Sequence, residues 1–132
     1  MACRINRRSE WTLRLTQEIG HGEACFINLT YNDEHLKERC ILSMDGTYSL
    51  NKRDAQLFIK RLRKHLEPKK IKYYLVGEYG DDDAFTHRPH YHAIIIGWCP
   101  DKSDLIWHYG KWESKTLSKI WEWGNNTVGS CT

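Results

Sequence analysis

The sequence predicts a single mixed α+β domain, and three observations carry that expectation. Residues 24–31, ACFINLTY, alternate between two faces as a strand does. Residues 51–66 place apolar side chains at helical spacing. Residues 71–79 and 90–96 are two segments rich in β-formers, joined by a loop short enough for a hairpin. At 132 residues, with 40% hydrophobic and 12% aromatic residues, the chain has enough apolar material for one core and too much for disorder.

Taken in order, residues 4–20 read as a helix in which Trp11, Leu15 and Ile19 recur every four residues. Arg4, Arg7 and Arg8 make its entry basic, and Gly20-His21-Gly22 ends it. In the first strand Cys25, Ile27, Leu29 and Tyr31 share one face, and Phe26, Asn28 and Thr30 the other. Asn28 and Thr30 are then either half-buried and satisfied or the lining of a site. Asn32-Asp33 marks a turn. Residues 35–43 are weakly patterned and expected to form a loop. Asp45-Gly46 is a turn signal, and residues 47–50 suit either a short strand or the lead into a helix.

That helix, residues 51–66, has Asn51 as N-cap and Asp54 in the capping-box position. Ala55, Phe58, Ile59, Leu62 and Leu66 form its core stripe, Arg53, Lys60, Arg61 and Lys64 lie off it, and Pro68 closes the element. In residues 71–79, Lys72, Tyr74, Val76 and Glu78 share a face. Residues 93–96 are an apolar run closed by Gly97, the pattern of a buried strand. Residues 99–114 are expected to be irregular, with Pro100 and Gly110 as breakers. Residues 115–123 read as a short amphipathic helix through Leu117, Ile120 and Trp121, ended by Gly124-Asn125-Asn126, and residues 127–132 suit the start of another strand. Four of the six Trp, at 107, 112, 121 and 123, lie in this last quarter; most are expected in the core, and one or two exposed ones are suited to stacking on bases.

Several classes are disfavoured. The longest apolar runs are far too short to span a bilayer, the start has no signal-peptide pattern, and no membrane partner is expected. Five scattered cysteines without C-x-x-C suggest reduced, cytosolic thiols and argue against a zinc finger. No glycine-rich phosphate loop, G-x-S-x-G elbow or H-E-x-x-H is present.

Charge is unevenly spread. The formal net charge is +3, yet residues 52–72 hold nine basic side chains against Asp54 and Glu67, a local +7 that leaves −4 for the rest. Such a concentration is either a solvated helix face or the footprint of a polyanion binder.

The chemistry concentrates at His90-Tyr91-His92, where a strand begins. Alternation points both imidazoles to one side. Neutral imidazole is a common ligand for divalent transition metals, so the pair makes half of a metal site. Glu78 ends the preceding strand and approaches the pair across the expected hairpin, which supplies a third ligand and leaves open positions on the ion. Glu78 is otherwise a surface carboxylate paired to a lysine, and Asp81, Asp82 and Asp83 compete for its role.

FINLTY at residues 26–31, GEYG at 77–80 and RPHYHAIIIG at 88–97, with the basic RDAQLFIKRLRK at 53–64, closely resemble the replication initiator proteins of small single-stranded DNA viruses, those of gokushovirus-type microviruses above all. These belong to the HUH endonucleases, named for a His-hydrophobe-His motif that His90-Tyr91-His92 matches. The resemblance covers nearly the whole chain. It implies a central antiparallel sheet flanked by helices, ferredoxin-like or RRM-like, and a divalent metal, Mn²⁺ or Mg²⁺, on His90, His92 and a third polar ligand, for which Glu78 stands in the right strand. It also implies a role beside origin DNA for Asn28, Thr30 and Tyr31, with Arg61, Arg63, Lys64 and Arg88 as candidate phosphate contacts.

The implied activity is rolling-circle initiation in the cytoplasm of a bacterial host. Single-stranded or hairpin origin DNA is nicked and rejoined through a 5′-phosphotyrosine. The chain departs from the family at the nucleophile, a tyrosine on a helix after the histidine strand and followed by lysine. After His92 there is one tyrosine, Tyr109, in Tyr109-Gly110-Lys111, whose glycine and lack of helical periodicity argue against a catalytic helix. The expectation is therefore a domain truncated at both ends, without its nucleophile helix and deficient in cleavage. Two rivals stand beside it: a non-catalytic single-strand-binding module, whose binding ignores chelators, and a small metal-dependent hydrolase without salt-dependent DNA affinity.

Overall fold

The computed structural model describes residues 23–79 and 89–130. The helix expected over residues 4–20, the loop with Asp81, Asp82 and Asp83, and Arg88 lie outside them. Among the described residues no helix is long and apolar enough to cross a membrane.

Four strands form the main sheet: β1 (Ala24–Tyr31), β2 (Lys72–Tyr79), β3 (Pro89–Ile96) and β6 (Gly124–Ser130). Their order is β2-β3-β1-β6 and every pairing is antiparallel, the sheet that the resemblance implied. The expected hairpin joins β2 to β3, with registers running from Lys72 opposite Ile96 to Tyr79 opposite Pro89.

Alternation decides what each face does. Ile27 and Leu29 of β1 are fully buried, as are Ala93 and Ile95 of β3 to within 1%. Helix α2 (Lys52–Leu66) covers that face through Phe58, Ile59 and Leu62, each worth about 1.5–3 kcal/mol when buried. Asn51 caps α2 as expected, its side-chain oxygen accepting from the backbone N–H of Arg53 and Asp54. Asp54, however, does not serve a capping box. Its fully buried carboxylate accepts two bonds from Arg39, at 2.8 and 2.6 Å, and one from the Tyr31 hydroxyl at 2.9 Å. Arg39 in turn lies 4.1 Å over the ring of Trp123.

Three expectations are corrected. The region read as loop from residue 35 begins inside a helix, α1 (Asp33–Arg39), capped by Asn32 through its side chain and complemented by Asp33 and Glu34 early and Lys37 and Arg39 late. Leu36 is its one buried residue, so no apolar stripe announces it. The stretch expected to be irregular holds a 3₁₀ turn (Lys102–Asp104) and a second hairpin, β4 (Leu105–His108) with β5 (Lys111–Ser114). These strands are short and mostly exposed, so the core leaves little imprint on them. Helix α3 (Lys115–Ile120) is shorter than expected, and Gly124, read as a helix stop, is the first residue of β6. A Cβ on Gly124 would stand 1.8 Å from the Thr30 carbonyl oxygen, so only glycine lets β6 begin so close to β1. Residues 47–50 form no strand; Tyr48 makes a single bridge to Leu42. Cys40 and Cys99 are thiols, and burial pushes both above the ordinary thiol range.

Candidate metal centre

The front face of the sheet, opposite α2, carries the histidines. Glu78 of β2 is the direct cross-strand partner of His90, and Asn28 of β1 that of His92. Glu78 Oε2 lies 3.3 Å from His90 Nε2 and 2.9 Å from His92 Nε2, and the two Nε2 atoms are 2.9 Å apart. All three side chains are partly buried, between 21% and 31% exposed. Among the described residues this is the cluster of His, Cys, Asp and Glu able to hold a metal.

The triangle has a chemical consequence. His92 Nδ1 sits in a short hydrogen bond with Asn28 Oδ1, which fixes the proton of a neutral imidazole on Nδ1 and aims the Nε2 lone pair at Glu78. Asn28 is itself held by the bond from its Nδ2 to Thr127 Oγ1 at 3.1 Å. An imidazole lone pair facing a carboxylate oxygen is repulsive unless a proton or cation lies between them. Ligands about 2.0–2.2 Å from a six-coordinate ion stand about 3 Å apart when adjacent, which is the edge length found here. The donor set therefore fits one divalent cation, with oxygen and imidazole ligands suited to Mn²⁺ or Mg²⁺ chemistry.

The other residues singled out in the sequence are divided by the fold. Thr30 joins the front face opposite His90, its hydroxyl donating to the Asn125 carbonyl at 3.4 Å. Tyr31 does not. It is 1% exposed in the core, and burial, with Tyr91 and Asp54 beside it, pushes its hydroxyl far above the ordinary phenol range. Arg61, Arg63 and Lys64 stand on α2, which packs against the rear face, so the structure does not bring them to the triad. Arg61 bonds the Ile120 carbonyl and Glu122, and Arg63 stacks 5.1 Å from the Tyr73 ring. Arg88 lies outside the described residues. Tyr109 is the first residue of the two-residue turn between β4 and β5, at φ 48°, with its ring 92% exposed, and no catalytic helix carries it.

A cleft of about 540 Å³ opens beside the triad. Its floor includes Asn28, Thr30, His90 and His92, and its far wall is the β4–β5 hairpin, through Lys111 and Trp112. Sequence reasoning missed this wall, along with Asn125 and Thr127, which also line the cleft. The signal was available in the two β-rich runs flanking a Tyr-Gly dipeptide, a hairpin pattern.

Fold and site together define an antiparallel-sheet domain with two histidines and a carboxylate converging beside a polar cleft. The family model for the replication-associated protein ORF2 matches residues 24–132, and the chain belongs to that family. It is 33% identical to the Replication-associated protein ORF2 of Spiroplasma virus 4, over 100% of this chain and 42% of that protein. It is likewise 33% identical to the Replication-associated protein VP4 of Bdellovibrio phage phiMH2K, over 98% of the chain and 41% of the relative. With the Replication-associated protein ORF4 of Chlamydia phage 1 the identity is 32%, over 98% and 33%. The chain thus spans less than half the length of these relatives. No solved structure matches it.

Proposed function

We propose that this chain is the metal- and DNA-binding domain of a replication initiator that nicks and rejoins single-stranded or hairpin origin DNA in the cytoplasm of a bacterial host. The observation that carries the reading is the convergence of Glu78 Oε2, His90 Nε2 and His92 Nε2 within 3.3 Å beside an open cleft. The family match and the viral relatives support a role in replication.

Glu78, His90 and His92 would hold Mn²⁺ or Mg²⁺, which when bound supplies Lewis-acid polarisation of the scissile phosphate. The chain's own residues do the rest. Asn28 holds His92 in the tautomer that presents Nε2, and Thr127 holds Asn28. Thr30 brings a hydroxyl and Asn125 an amide to the cleft, both suited to phosphate oxygens. In the nicking step a tyrosine oxygen bonds to phosphorus, the bond from phosphorus to the 3′ oxygen breaks, and that oxygen leaves as a 3′-OH. The 5′ side stays linked to the tyrosine, and attack by a 3′-OH reverses the step to rejoin the strand.

Tyr109 is a weak candidate for that oxygen, because no packed element fixes it. Its turn forfeits the positional advantage that a held nucleophile gains, about 7–11 kcal/mol of barrier. This chain is therefore expected to bind metal and single-stranded DNA without forming a covalent adduct. The test is calorimetry with Mn²⁺, together with anisotropy of fluorescein-labelled oligo-dT in Mn²⁺ or EDTA and a denaturing gel of a labelled random-sequence strand. Binding unaffected by EDTA, with no Mn²⁺ heat, would favour a non-catalytic binding module. Mn²⁺ binding without salt-dependent DNA affinity would favour a hydrolase of another substrate. A covalent band lost in Tyr109→Phe would make Tyr109 the nucleophile.

A further inference from the structure

Tryptophan is distributed unevenly in this domain. Trp121 is 0% and Trp123 4% exposed, whereas Trp107 is 59% and Trp112 45% exposed. The exposed pair are direct cross-strand partners on β4 and β5, with ring centroids 4.9 Å apart in an edge-to-face contact. Ile106, 45% exposed, and Tyr109 extend the same uncovered surface. Four large apolar side chains left in water on one small hairpin mark a contact surface.

The hairpin is built as an arm. Its root is tied down: the Ser114 backbone N–H donates to Asn126 Oδ1 at 2.9 Å, and Asp104 accepts from the Ser114 hydroxyl and from the N–H and hydroxyl of Thr116. Asn126 belongs to β6, so the root is fixed to the sheet that carries the triad. The tip is a tight turn with positive φ at both Tyr109 and Gly110, 48° and 76°, the type I′ geometry that matches strand twist. Between root and tip, Trp112 and Lys111 face the cleft from the side opposite His90 and His92. Glu113 is engaged by His108 at 3.5 Å and by Ser118 at 3.1 Å, which tempers the negative charge on that wall.

We infer that the β4–β5 hairpin is a stacking arm for unpaired nucleobases, which holds a single DNA strand in the cleft against the triad. The inference rests on the reading of that cleft as a DNA site and adds the residues that select single strands. Only an unpaired base offers a free π-face to indole, and Lys111 supplies the positive charge that the adjoining phosphate needs. The floor of Asn28, Thr30 and Asn125 meets the sugar-phosphate side. A duplex, whose bases are stacked on one another, gives the arm nothing to hold.

The experiment compares the 132-residue chain with Trp107→Ala, Trp112→Ala and Trp112→Phe, using fluorescein-labelled oligo-dT, an abasic strand of equal length and a duplex. Mn²⁺ calorimetry on each variant reports whether the fold and triad are intact. Trp112→Ala is expected to weaken oligo-dT binding about 5- to 150-fold, the span for loss of one base–aromatic stack. Trp112→Phe should retain most of the affinity, and Mn²⁺ binding should be unchanged throughout. The abasic strand should bind the parent weakly and be indifferent to the substitutions. Equal oligo-dT affinity in the parent and both alanine variants would overturn the arm while leaving the DNA reading intact. Absence of oligo-dT binding by the parent would overturn both. Unchanged DNA binding with loss of self-association in sedimentation would assign the patch to a contact between copies and overturn the arm.

Discussion

On the rear of β1, Ile27 and Leu29 are 0% exposed in the cluster with Phe58 and Leu62 of α2. On the front, one residue away in each case, Asn28 and Thr30 stand at the floor of a cleft beside His90 and His92. The rear holds one charged network, Asp54 with Arg39 and Tyr31. The front gathers polar groups of one kind, lone-pair donors crowded around a point where a cation belongs. A strand repeat of two residues lets the same segments serve stability on one side and chemistry on the other. The two sides should therefore respond to substitution in different observables, and four experiments probe that separation, taken here from the largest expected effect to the smallest.

The largest effect should fall on the rear. Asp54→Ala removes the partner of a partly buried guanidinium and of a buried phenol, and unfolding free energy should drop by about 3–5 kcal/mol. Urea titration in EDTA measures it, and a loss below about 1 kcal/mol would deny the network its anchoring role. On the front, His90→Ala or His92→Ala should lower Mn²⁺ affinity by at least about 100-fold, beyond the 10–100-fold typical of outer partners. The same urea titration should find metal-free stability within about 1 kcal/mol of the parent. Wild-type Mn²⁺ affinity in either variant would remove the centre altogether.

Asn28 sharpens the comparison, since it touches the ligand His92 and not the ion. Asn28→Ala should cost about 10–100-fold in Mn²⁺ affinity, and Asn28→Asp, which restores an acceptor for Nδ1–H, should recover much of it. Equal affinity for all three proteins in calorimetry would mean that the triad needs no orienting bond. The smallest effect is expected from the basic side chains of α2. Arg61 and Arg63 are already engaged by Glu122 and Tyr73. Changing Arg61, Arg63 and Lys64 to Ala should therefore flatten the salt dependence of oligo-dT binding by about one phosphate contact, about 0.7 in slope. Mn²⁺ affinity should not move. An unchanged slope would make the rear helix a solvated face, and a loss of about three contacts would extend the DNA path around the sheet.

What the sequence determined by itself was local. Period-two alternation placed His90 with His92 and Asn28 with Thr30, and the short connection made β2 and β3 neighbours, so Glu78 reached the histidines on paper. Helical spacing from Ala55 to Leu66 exposed the core face of α2, because one buried stripe repeats over several turns. Tertiary structure decided what depends on non-local pairing. It chose β1 as the other neighbour of β3, in the register that sets Asn28 against His92. It put α2 behind the sheet, because the apolar stripe of α2 and the odd-numbered residues of β1 bury one another, and this carries Arg61, Arg63 and Lys64 away from the triad that their charge suggested. It took Tyr31 into the core with Asp54, although FINLTY reads as one motif, because Tyr31 falls on the face of β1 that α2 covers. It also folded residues 105–114 into the wall of the cleft. Those strands are short and exposed, and what holds them is the bonding of Ser114 and Asp104 to Asn126 and Thr116, contacts that no pattern of hydrophobicity records.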